Sequence, residues 1–152
     1  MILIILITAL GLAGVIPTGE DPGQSSEAEV RFFVQGNDIV IDCEVADSEF
    51  ERTKGLMGRT SLGERDGMLF VYDSPKVATF WMKDTYLDLD IIFISEDLRV
   101  MRISEADSGE GKSDSELDIH SSEDPCLYVV EVNQGLSSKF GIIPGTVVEI
   151  DL

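Results

Sequence analysis

The 152-residue chain holds one histidine, two cysteines and one tryptophan, and these scarcities close off several chemistries. Cys43 and Cys126 stand far apart in no metal-ligand spacing, and His120 alone cannot complete a four-ligand set with them, so zinc is excluded. There is no G-x-S-x-G, no Walker-type glycine loop and no H-E-x-x-H. His120 lies in an acidic stretch and is not expected to serve as a general base, so a hydrolase would have to work with carboxylates alone. Basic residues are also short: 11 Lys and Arg stand against 29 Asp and Glu, a formal charge of −18. A field of that sign repels nucleic acid and anionic headgroups and favours cations or basic partners. No nucleic-acid partner, metal or other cofactor is expected, and no internal repeat is visible.

What is present suffices for one domain with its own core. Ile2 to Ile16 form an apolar run broken only by Thr8. It is shorter than the roughly 20 residues of a membrane span and has no basic residue ahead of it, while Ala9, Gly11 and Ala13 offer small residues for cleavage. No cysteine follows the run, which excludes a bacterial-type lipid anchor. The polar, Pro/Gly/Ser-rich PTGEDPGQSSEAE comes next. Residues 1–16 therefore read as a signal peptide or membrane anchor, 17–29 as an acidic flexible linker and 30–152 as a single β domain, secreted or membrane-anchored outside the cytoplasm.

Within that domain VRFFVQ and DIVIDCEV are strand-like and meet at Gly36-Asn37, a pair suited to a hairpin turn. Ile39, Ile41, Cys43 and Val45 alternate with polar or smaller residues, which buries one face. Ser48 followed by Glu51 forms a capping box, opening a helix of about ten residues in which Phe50, Leu56 and Met57 supply the apolar face. GMLFVY, VATFWM, LDIIFI and LRVMRI are four further strands. The stretch 105–125 carries eight carboxylates and reads as a flexible, exposed acidic loop. It lacks the ligand spacing of a calcium-binding EF-hand. CLYVVEV resumes the sheet, and a short helix ended by Gly141, a Pro144-Gly145 turn and a last strand close the chain. The fold class is mainly β: an antiparallel β-sandwich, jelly-roll-like, or a partly closed barrel, with two short helices. Cys43 and Cys126 either pair as a disulfide or pack as small buried residues.

Polar residues set in apolar surroundings are the site candidates. Asp90 sits among Leu89, Ile91 and Ile92, and Glu131 between Val130 and Val132, so each needs a partner if buried. Arg52, Arg59 and Lys83 are the nearest cations in that part of the chain, and Asp90 with Arg59 is the expected pair. Asp84 and Asp88 share a strand face with Asp90 if that segment is extended, or serve as turn residues. Arg59, Trp81, Lys83, Asp84, Asp90 and Glu131 together form either a polar pocket beside an exposed indole or a salt-bridge network that sets the sheet register.

The order E-R-x-x-G-L-M-x-R-x-x-L from Glu51, G-M-L-F at 67–70, F-W-M-K at 80–83, Thr85, L-D at 89–90, Y-V-V-E at 128–131 and Gly135 resembles domain-of-unknown-function family 192, also called uncharacterised protein family 0127. The resemblance implies a jelly-roll-like sandwich and export, and carries no activity. One position departs: the family usually has Asn after F-W-M-K, where this chain has Asp84, which replaces a donor and acceptor by an acceptor alone. The expected function is a non-enzymatic binding or accessory module of the cell envelope, its partner a small molecule or protein, possessing a tether in residues 2–16. The alternative is a carboxylate-dependent hydrolase of an envelope sugar or peptide.

Overall fold

The computed structural model describes residues 26–152, so the expected signal or anchor segment and most of the linker lie outside the described residues. Strand β1 (Glu27–Val34) starts three residues before the expected boundary at Val30. It takes in Glu27, Ala28 and Glu29 because their backbone pairs with Glu44, Cys43 and Asp42 of β2 (Asn37–Ala46). The turn between them is Gln35-Gly36, one residue earlier than the Gly36-Asn37 expectation, with Gly36 at φ 90°.

Helix α1 (Glu49–Lys54) opens on the expected box: the Glu51 amide donates to Ser48 Oγ, and the Ser48 amide donates back to the Glu51 carboxylate. It runs six residues rather than about ten, because Gly55 turns the chain out of the helix at φ 46°. Phe50 does not fill an apolar face; it is 75% exposed, and Leu56 just past the helix is the buried anchor.

The remaining elements are β3 (Asp66–Lys76), β4 (Thr79–Phe80), β5 (Leu89–Ile94), β6 (Val100–Ala106), β7 (His120–Ser121), β8 (Cys126–Asn133), α2 (Leu136–Phe140) and β9 (Val147–Asp151). Seven strands form one sheet in the order β6-β5-β8-β3-β2-β1-β9, and β4 pairs with β7 beside it. Every named pairing in the large sheet is antiparallel except β2 with β3. That parallel pair is possible because the connection carrying α1 is long enough to cross over. The sheet curls until its two ends meet: the Val100 amide donates to Thr146 O at 2.9 Å, and the Val148 amide donates to Leu98 O at 2.9 Å. The Gly145 amide adds a third bond, to Val100 O at 2.7 Å. Of the two architectures expected from sequence, the fold is the partly closed barrel.

The strand period of two sorts the core into two layers. Val30, Phe32, Ile41, Leu69, Ile92, Ile94, Val130 and Val132 fill the inside of the curl. Phe70, Leu89, Ile91, Phe93 and Val129 face outward and are covered by Leu56, Met82 and Ala78 from the connections. Cys43 lies in the inner layer and Cys126 in the outer one, and both are free thiols, so the disulfide alternative is not realised.

The acidic stretch 105–125 helps to make that outer cover. β6 runs on through Ala106, and the Gly109 amide donates to Thr85 O at 2.9 Å. A 3-10 turn spans Asp114–Glu116, Leu117 packs on the outer core and β7 pairs with β4. Most of its acidic side chains remain exposed, as expected. Among the described residues no helix is long and apolar enough to cross a membrane.

Candidate functional site

The two in-strand acids are both buried, and they face different ways. Asp90 stands opposite Val132, on the inner face, and is 1% exposed. Its two carboxylate oxygens accept from the Gly135 amide at 3.1 Å and the Ser137 amide at 2.9 Å. Gly135, the N-cap of α2, has no side chain to cap the free amides of the helix start, so a carboxylate from β5 does it across the chain. Asp90 is thus a scaffold residue, and the expected pairing with Arg59 does not form. Arg59 pairs instead with Glu44 on β2, and Lys83 with Asp114 at 2.7 Å.

Asp84 is a turn residue with φ 51°, and its carbonyl accepts from the Gly58 amide at 2.8 Å. Asn and Asp are the side-chain residues most at ease in that left-handed region, which is why Asp stands without difficulty where the family usually has Asn. Asp88 fills the turn role as well, accepting the Ser108 amide at 2.7 Å.

Glu131 is the exception. It lies on the outer face of β8, between Met68 of β3 and Ile91 of β5 on the neighbouring strands, and is 5% exposed. Its carboxyl has no hydrogen-bond or ion-pair partner among the described residues, and burial alone pushes its pKa up to about 8. A neutral acid there has a proton to donate at pH 7. The group forms part of the wall of a pocket of about 530 Å³, a size that suits a small ligand.

Aromatic rings make the rest of the wall. Phe70, Tyr72, Phe80 and Trp81 all line it. Phe80 is held edge-on between Phe70, at 5.0 Å between centroids, and Phe93, at 6.0 Å. Trp81 is 42% exposed, with the Lys83 ammonium 5.1 Å from its ring centroid. Tyr72 is flanked by two cations, Arg52 at 5.5 Å and Lys76 at 5.3 Å. Burial raises the Tyr72 phenol to about 12, with the Glu131 carboxyl among the neighbours that push the same way. Arg52 is fixed by backbone carbonyls: its Nη1 donates to Val71 O at 2.8 Å and to Asp47 O.

The six expected residues are therefore distributed. Trp81 and Glu131 line this pocket, and Lys83, which does not, stands over the indole. Asp84 holds a turn and Asp90 a helix start. Arg59 lines a second cleft of about 830 Å³, rimmed by Glu27, Glu29, Asp42, Glu44 and Asp66. Among the described residues no cluster of His, Cys, Asp and Glu could hold a metal ion. Sequence reasoning counted Arg52 among the nearby cations but not among the site candidates, and missed Tyr72 and Lys76. Phe70 and Tyr72 are two apart on β3 and so share the face of Glu131, a spacing visible in the sequence once that strand is assigned.

A family model described as DUF192, Uncharacterized ACR, matches residues 31–150. Among solved structures, the chain is similar to a proposed transcription regulator from Sinorhizobium meliloti 1021, at 31% identity and a TM-score of 0.75, over 82% of this chain and 94% of that one. It is also similar to a protein of unknown function from Novosphingobium aromaticivorans DSM 12444, at 39% identity and a TM-score of 0.71, over 80% of this chain and 83% of that one. The chain has no match among curated proteins.

Proposed function

The chain belongs to the DUF192 family of uncharacterised proteins, and from that premise we propose that it is a binding module whose ligand enters the pocket of Trp81, Tyr72 and Glu131. The observation that carries this reading is Glu131. A buried carboxyl without a partner lowers the stability of the fold, since it must take up a proton or hold an uncompensated charge. Such a group opening on a ring-lined pocket is suited to donating a hydrogen bond to a ligand oxygen, while Trp81 and Phe80 offer flat faces to a ring.

A hydrolase reading would require a second acid close to Glu131 and facing the same cleft. Asp90 lies on the other face of the sheet and is engaged with α2, and the other acids that line the pocket, Glu49 and Asp73, are exposed rim residues. The net charge of −18 weighs against a nucleic-acid ligand. The apolar run from Ile2 to Ile16 supports placement outside the cytoplasm, where the pocket would meet ligands of the envelope.

The test is a titration of the full chain, followed by amide and Trp81 indole NMR shifts, against a panel of sugars and small ring compounds, neutral and acidic. Ligand-dependent shifts centred on Tyr72, Trp81 and Glu131 support the proposal. Absence of binding, or binding confined to the Arg59 cleft, overturns it. Fractionation of tagged full-length protein tests the location: recovery in the cytosol refutes it.

A further inference from the structure

The positive charges of this acidic protein are not spread evenly with respect to their partners. Of its eleven Lys and Arg residues, Arg31, Arg59, Lys83, Arg99, Arg102 and Lys139 each have a carboxylate within ion-pair distance. The five without one among the described residues are Arg52, Lys54, Arg65, Lys76 and Lys112. Three of those five, Arg52, Lys54 and Lys76, line the Glu131 pocket. Away from this pocket six of eight cations are paired, and only Arg65 and Lys112 are not, so three cations without an ion pair around one cavity form a concentration.

Arg52 shows how the charge is kept available. Two backbone carbonyls, of Asp47 and Val71, hold its guanidinium in place without cancelling its charge. Lys54 sits at the end of α1 and Lys76 at the end of β3, both exposed. Facing them are the carboxylates of Glu49 and Asp73 at the rim and the carboxyl of Glu131 in the wall. We infer that the ligand of this pocket is a small anion with a flat body, a carboxylate or phosphate ester whose charged group is taken by Arg52, Lys54 and Lys76 and whose ring lies against Tyr72, Phe80 and Trp81. The polarity is complementary at both places: the unneutralised cations receive the charge, and the Glu131 hydroxyl donates to an uncharged oxygen of the body. Outside the pocket, a surface of the opposite sign excludes anions from competing sites.

This inference rests on the pocket being a ligand site, and the experiment separates the two. The single tryptophan lines the pocket, so its fluorescence reports binding directly. The full chain is titrated with phenyl phosphate and benzoate, and with benzyl alcohol as the neutral counterpart, at low and high salt. The expected result is at least tenfold tighter binding of one or both anions than of the alcohol, weakened several-fold by salt. Lys54→Gln and Lys76→Gln, at exposed side chains, should each reduce anion affinity about threefold or more and leave the alcohol unaffected. Arg52→Met should do so more strongly. Phosphate preferred over carboxylate, or the reverse, identifies the source of the anion. Equal binding of alcohol and anions, or no salt dependence, overturns the charge assignment and leaves the pocket standing. No response to any of the three, together with a silent ligand panel, removes both.

Discussion

Asp90 and Glu131 stand one rung apart on the paired strands β5 and β8, yet their side chains enter opposite layers of the protein. Asp90 meets two amides there, and Glu131 meets an open cavity. Two acids with the same local signature, one carboxyl among branched apolar neighbours, thus have unlike roles, and their removal should have opposite effects.

Replacing Glu131 by Gln should stabilise the protein near neutral pH. The folded-state pKa of about 8 lies above the unfolded value of 4.5, so the folded state binds a proton that the unfolded state has released. Stability from this group is fully present below about pH 4.5 and is lost progressively as pH rises to about 8. At pH 7 the loss is on the order of 3 kcal/mol. Denaturant unfolding of Glu131→Gln should recover most of it at pH 7 and show almost no difference from the parent at pH 4. A destabilised Gln variant at pH 7 would mean that the carboxyl is satisfied after all.

Replacing Asp90 should do the reverse. Asn turns an amino group toward one of the two amides, and Ala leaves both unsatisfied in a buried place, so each should lose roughly 1–3 kcal/mol. Arg59→Met should change stability by less than about 1 kcal/mol, as expected for a half-exposed ion pair. A double-mutant cycle between Asp90→Asn and Arg59→Met should be additive within about 0.5 kcal/mol. Strong coupling between them would contradict the separate partners seen for each.

Gly109 is where the acidic stretch is fastened to the body. A Cβ on it would stand 1.8 Å from the carbonyl oxygen of Met82. Gly109→Ala should therefore force the backbone apart and break the bond from its amide to Thr85 O. Hydrogen exchange at residue 109 should quicken markedly, with a stability loss above about 1 kcal/mol. Unchanged protection at that amide would show the contact to be dispensable. Gly58→Ala is the control: the added Cβ meets nothing within 4 Å, leaving only the cost of φ 79°, about 1–2 kcal/mol.

Both thiols should be silent in the native state. Burial raises Cys43 to about 12 and also raises Cys126, so neither offers a thiolate near neutrality. A thiol reagent should label them only at the rate of unfolding, and a reductant should leave the melting temperature unchanged. Rapid labelling of either cysteine in the folded protein would contradict this.

What the sequence discloses here is what neighbours in sequence decide. The Ser48–Glu51 box, the strand alternation in β2 and the burial of Asp90 and Glu131 all follow from residues within a few positions. Partners do not, because they depend on register, and a shift of one residue moves a side chain to the other face. That is why Asp90 could not be matched to the Gly135 and Ser137 amides, nor Arg59 to Glu44. The parallel step from β2 to β3 was hidden for a similar reason: strand patterns carry no direction. For 105–125 composition discloses the solvated side chains but not the anchors, since one glycine amide and a two-residue strand fasten the stretch to distant parts of the chain.

The three backbone bonds that join Leu98–Val100 to Gly145–Val148 have a bearing on how this protein survives in company. A curled sheet that stopped short would present two ladders of unpaired amides and carbonyls to every copy it met. Here each outermost strand spends part of its ladder on the other, so one copy has less to offer another. β6 beyond that junction still bears Arg102 and Glu105, charges that discourage a neighbouring strand from docking flush. Loosening the junction, for instance by placing proline at Val148 so that its amide can no longer donate, would therefore show first as self-association in concentrated solution, ahead of any loss in the pocket.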